Sequence, residues 1–102
     1  MKVATGKVIK AFRKHLNYKQ DFVASKINIT PSTLANIENG RVGVEMEKVY
    51  LLAKLFGVAP RIILELAFEL NESESDIWLN NAIKRLKIEP ETDNVTSPKK
   101  QI

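Results

Sequence analysis

The sequence predicts an all-α fold, and three observations carry that prediction. Apolar residues recur at helical spacing along most of the chain, and no strand alternation competes with them in the first 40 residues. Helix boundaries are marked by residues suited to them, with Thr30-Pro31 opening one pattern and Gly40 closing it. Residues 20–41, QDFVASKINITPSTLANIENGR, hold two short helical patterns across a three-residue break, the sequence form of a helix-turn-helix.

The first helix is expected from about Gly6 to Leu16, with Thr5 or Gly6 near its cap and Val8, Ile9, Phe12 and Leu16 as its buried stripe. Asn17 ends it, because asparagine tolerates the left-handed backbone that a helix end requires. The second helix follows at about Lys19 to Lys26, turning Val23, Ala24 and Ile27 inward. Asn28 supplies another left-handed turn, and Ile29 plugs the corner. The Thr30 hydroxyl can accept from a first-turn amide, and Pro31 at the first helical position gives up no hydrogen bond. The third helix then runs to about Asn39 and buries Leu34 and Ile37.

A fourth helix is expected from Glu45 to Phe56 with Met46, Val49, Leu52, Ala53 and Phe56 inward, and Gly57 closes it. Pro60 opens a fifth, to about Leu70, that is apolar around most of its circumference. Either a sixth helix or a second subunit must cover that surplus. Ser73 and Asp76 have capping-box spacing before a sixth helix at about Glu74 to Lys87, with acids at its start and bases at its end. From Glu89 the chain is polar, with Pro90 and Pro98, and reads as a disordered tail. The expected organisation is a helix-turn-helix domain at 1–70, a C-terminal helix for dimerisation or partner contact at 71–88, and the tail at 89–102.

With 102 residues and 44% apolar content, one domain can bury a core without metal or disulfide. The chain has no cysteine, which excludes disulfide scaffolds, thiolate metal sites and cysteine nucleophiles. No apolar run reaches the roughly 20 residues of a membrane span, and the start lacks a signal peptide's apolar core, so a soluble cytoplasmic protein is expected. The lone histidine, His15, has no catalytic partner in view, and no phosphate loop or metal-ligand spacing occurs. Neither an enzyme nor a cofactor is expected. The charge is uneven: residues 1–42 hold eight Lys/Arg against two acids, whereas residues 43–102 hold eight against ten. The positive half carries the helix-turn-helix, as a phosphate-binding surface would.

Residues 6 to about 66 resemble the Cro and phage-repressor type of helix-turn-helix, sometimes called XRE-like. The resemblance rests on Gln20 and Ala24 in the second helix, Ile29-Thr30 at the turn, and Leu34, Ile37, Glu38 and Gly40 in the third. The run Leu-Ala-Lys-Leu-Phe-Gly-Val at 52–58 matches the family's fourth helix and its exit. The family implies a five-helix repressor-like DNA-binding core, a homodimer and a palindromic operator. It also implies that Gln20 meets the DNA backbone and that Arg13 and Glu38 form a buried salt bridge. Lys19 departs from the family's frequent serine cap, Asn17 and Asn28 stand where glycine is common, and the sixth helix and tail have no counterpart.

With Thr30 as cap, Pro31, Ser32, Thr33 and, one turn on, Asn36 are the side chains expected to reach base edges in the major groove. Asn36 is the strongest candidate, since a carboxamide can contact adenine at N6 and N7 together. With no arginine in that set, the half-site is expected to lean toward A·T. Phosphate contacts are expected from Lys19, Gln20, Asn39, Arg41 and the Gly43 amide, with help from Lys14 and Lys10. The dimer interface is expected from Ile63, Leu66, Phe68 and Leu70 of the fifth helix and Trp78 and Ile83 of the sixth. A transcriptional regulator is the leading expectation. An antitoxin that binds a protein toxin through its C-terminal segment, or a restriction-modification controller, stands as the alternative.

Overall fold

In the computed structural model, which describes residues 1–91, six helices and no strands make up the described residues. They are α1 (Lys2–His15), α2 (Gln20–Lys26), α3 (Pro31–Glu38), α4 (Met46–Phe56), α5 (Pro60–Glu72) and α6 (Leu79–Lys84). Most of the expected tail, residues 92–102, lies outside the described residues. The part that is described does make contacts. The Glu91 amide donates to the Tyr18 hydroxyl at 2.6 Å, and its carboxylate stands 4.0 Å from the Lys26 ammonium.

The first helix starts four residues earlier than Gly6, and the reason is packing rather than capping. Gly6 is buried where α1 crosses α3, and a Cβ there would run into the Ile37 carbonyl oxygen. The glycine permits close approach of two backbones instead of marking a helix start.

Four helix ends close by the same device. Asn17 (φ 61°), Asn28 (φ 60°), Gly40 (φ 76°) and Gly57 (φ 81°) adopt the left-handed conformation. The amide of the next residue then bonds a carbonyl five positions back: Tyr18 to Arg13, Ile29 to Ala24, Arg41 to Asn36 and Val58 to Ala53, at 2.9–3.0 Å. These bonds satisfy carbonyls that the last turn leaves without a helical donor. At the other end of α3, Thr30 Oγ1 accepts from the Thr33 amide at 3.1 Å, the predicted cap.

The core gathers Val8, Ile9 and Phe12 from α1, Val23, Ala24 and Ile27 from around α2, and Leu34 and Ile37 from α3. Leu52 and Phe56 of α4 join them, with the Phe12 and Phe56 rings stacked at 5.2 Å between centroids. Lys48 ties α4 to the turn by donating to the Ile27 carbonyl at 2.9 Å. Met46 does not join the inner stripe of its helix. It is 63% exposed, because the packed length of α4 begins one turn later at Val49.

Two expectations for the C-terminal part need correction. The α5 surplus is covered chiefly by α1, which packs on α5 more extensively than any other pair of helices pack. Ile63 and Leu70 are therefore buried in the subunit's own core, and Ile83 of α6 is buried against α1. These three have no surface to offer a partner. The sixth helix is six residues long rather than the fourteen expected from 74–87. Ser73 does not start a sixth helix but closes α5, its hydroxyl donating back to the Glu69 carbonyl at 2.9 Å. Asp76 pairs with Lys7 at 3.5 Å, and the Trp78 indole donates to the Ser75 carbonyl at 3.0 Å. Residues 73–78 form a loop.

Candidate nucleic-acid interface

The candidate site is built on one buried polar network. Arg13 leaves α1 toward α3 and meets Glu38 in two parallel bonds, Nε to Oε2 at 2.7 Å and Nη2 to Oε1 at 3.0 Å. Its remaining nitrogen, Nη1, donates to the Tyr18 carbonyl at 2.9 Å. Gln20, at the start of α2, donates from Nε2 to Glu38 Oε1 at 2.9 Å. Arg13 and Glu38 are both buried, and among the described residues no buried side-chain nitrogen or oxygen lacks a partner. Ordinary burial would penalise two charges heavily, but this pair is bidentate and fully bonded. Its effect is geometric: α1, the turn before α2 and the last turn of α3 are held in one arrangement.

Leu34, Ile37 and Glu38 hold the inner side of α3. Pro31, Ser32 and Thr33 are exposed in the first turn, and Asn36 is half-buried one turn on. Thr33 is restrained, since its Oγ1 lies 2.9 Å from Thr30 Oγ1. Asn36 is also engaged, its Oδ1 accepting from Arg41 Nη1 at 3.2 Å.

The expected phosphate contacts divide. Lys19 is exposed and Gln20 half-buried at the start of α2, while Asn39, Arg41 and Gly43 are exposed just after α3. Gln20 reaches the last turn of α3 through Glu38, and Asn39, Arg41 and Gly43 follow that helix in the chain. Lys14 does not join them. It lies on the side of α1 that faces α6, in a groove lined by Ala11, His15, Asn80, Asn81 and Lys84, and Lys10 lines the adjoining groove. Position 14 follows Arg13, and one helical step carries the side chain away from α3.

Of the expected interface residues, Phe68 is 59% exposed and Leu66 and Trp78 are half-buried. Sequence reasoning missed an apolar groove of about 180 Å³ on the same molecule, lined by Met1, Val42, Val44, Met46 and Leu64 among others. Val42 and Val44, apolar residues between the third and fourth helices that no expected stripe included, were its available signal. The Arg41–Asn36 bond was missed as well, although Gly40 as a left-handed helix end already brings positions 36 and 41 together.

No helix of the described residues is long and apolar enough to cross a membrane. Comparison with curated proteins finds no match. The solved structure of the clp gene regulator ClgR from Corynebacterium glutamicum is similar, with a TM-score of 0.64, 21% identity, and coverage of 83% of this chain and 84% of that one. At that identity the likeness speaks for the fold. A family model described as helix-turn-helix matches residues 9–63, from the middle of α1 into α5. That span holds the Arg13–Glu38 bridge, the Thr30-capped α3 and its left-handed exit, and the chain belongs to the helix-turn-helix family, of the Cro and phage-repressor (XRE) type.

Proposed function

We propose that this DNA-binding transcription regulator acts as a homodimeric repressor or autoregulator that places α3 in the major groove of a palindromic operator. The observation that carries the reading is the Arg13–Glu38–Gln20 network. It fixes α3 with an anchored inner side and with Pro31, Ser32, Thr33 and Asn36 turned outward. Side chains on the first turns of such a helix reach base edges, while groups around its ends meet the backbone. Lys19, Gln20, Asn39 and Gly43, exposed or half-buried before and after α3, supply the backbone contacts in this reading. Lys14 lies apart from that face and contributes at most at long range.

One such domain makes few contacts, so a two-fold partner is part of the reading. Phe68, Leu66 and Trp78 remain from the expected interface, and the groove beside Met46 and Leu64 adds apolar surface next to α5. Double-stranded DNA and a second copy are thus the proposed partners, in the cytoplasm.

A second reading is favoured by one feature: Ile77 is 82% exposed in the loop before α6, beside the α1 lysines. An antitoxin would use such a segment against a protein toxin, and co-purification of a small toxin from the native host would support that role.

The direct test is Asn36→Ala. It should weaken binding to a selected operator by about 1–3 kcal/mol and change binding to random duplex far less, as read by fluorescence anisotropy. Equal losses on both would remove Asn36 as a base reader.

A further inference from the structure

Arg41 follows the left-handed Gly40, and its backbone amide returns to the Asn36 carbonyl at 2.9 Å. Its side chain lies back in the same direction, placing Nη1 3.2 Å from Asn36 Oδ1. Helix ends of this kind commonly carry an apolar contact between these two positions. Here both side chains are polar, Arg41 is exposed and Asn36 half-buried. A hydrogen bond between such accessible groups adds little to folding, because water competes for both.

The bond does decide what the pair shows to a ligand. A guanidinium has donors and no acceptor, so the Asn36 atom beside it is the amide oxygen and the amide nitrogen points elsewhere. One lone pair of Oδ1 is occupied, and a positive charge stands beside the other. An amino group of adenine or cytosine approaching that oxygen meets the charge of Arg41. An acceptor such as guanine N7 or O6 is drawn to the Asn36 amide hydrogens and the guanidinium alike. The other guanidinium nitrogens of Arg41 bond no protein group among the described residues.

We propose that Arg41 is a base-reading residue rather than a phosphate contact, and that it acts with Asn36 as one unit selecting guanine. This rests on the proposed placement of α3 in the major groove. It reverses the A·T preference expected from the sequence, where Arg41 was placed outside the reading set.

The test measures binding of the full chain to an operator selected from random duplexes, to a panel with each half-site base pair replaced, and to random duplex. The variants are Arg41→Ala, Arg41→Lys, Asn36→Ala and the double alanine. The selected half-site should contain a G·C pair whose replacement weakens wild-type binding by roughly 5- to 150-fold. Arg41→Ala and Asn36→Ala should each erase discrimination at that pair or its neighbour, and the double variant should lose little more than the larger single. Arg41→Lys should recover affinity for random duplex without recovering discrimination, since an ammonium lacks the planar fork. The inference is overturned if Arg41→Ala weakens selected and random DNA equally, leaves every base preference intact, and is rescued by lysine. In that outcome Asn36→Ala still separates the two levels: altered preference with Asn36→Ala alone preserves the groove placement, and no altered preference with either removes both.

Discussion

Glu38 is the residue on which the site turns, because its two oxygens accept from Arg13 and Gln20. Removing one partner of a buried pair strands the other charge, so Glu38→Ala should destabilise the fold by about 3–5 kcal/mol in urea unfolding. Replacing both members with apolar residues, Arg13→Met with Glu38→Leu, should cost far less. A loss from the double variant equal to that of the single one would show that the bridge is itself the source of stability. Composition and spacing did not reveal this pair; the resemblance to the repressor family suggested it. Nothing in residues 13 and 38 taken singly distinguishes a buried bridge from two solvated charges, since their meeting depends on how α1 crosses α3. The Arg41–Asn36 contact is different. A left-handed Gly40 is legible in sequence, and the pairing of positions five apart follows from it.

Elements were legible where local chemistry sets them. Thr30 and Pro31 begin α3 as expected, and Asn17, Asn28, Gly40 and Gly57 end their helices in the left-handed conformation. Elements were misjudged where tertiary contacts decide. Gly6 read as a helix start, yet it lies inside α1 at the crossing with α3. Gly6→Ala gains intrinsic helix propensity but drives a methyl into the Ile37 carbonyl. Overpacking of this kind typically costs about 1–3 kcal/mol, so a net loss in thermal or urea unfolding is expected. A stabilised variant would mean that the two helices can part without penalty. The shortened α6 goes with a loop at 73–78, in which Ser73 and Trp78 bond carbonyls four and three residues back and Asp76 reaches Lys7 of α1. Sequence spacing showed the charges of that segment but not the partner that α1 supplies.

At the scale of the molecule, the sequence left two ways to cover α5, by a sixth helix or by a second subunit, and the structure uses α1 for most of it. Periodicity shows that a helix has apolar surface without showing which neighbour takes it. Of the α5 surplus Phe68 stays exposed, and Met46 and Val42 border the groove beside Leu64. If that surface joins two copies, Phe68→Glu and Met46→Glu should shift micromolar protein from dimer to monomer in sedimentation while leaving the helical circular dichroism unchanged. An unmodified protein that sediments as a monomer would remove the dimer from the proposal. A two-fold dimer would set its α3 helices about 34 Å apart, one turn of duplex.

That spacing makes the central claim measurable in one step, by selecting the duplexes that the full chain binds from a random pool. The expected result is an inverted repeat whose half-site centres lie about 10 base pairs apart, or a multiple of that spacing. A pool that enriches no sequence after repeated rounds, despite salt-dependent binding to duplex, would contradict the claim that α3 reads bases.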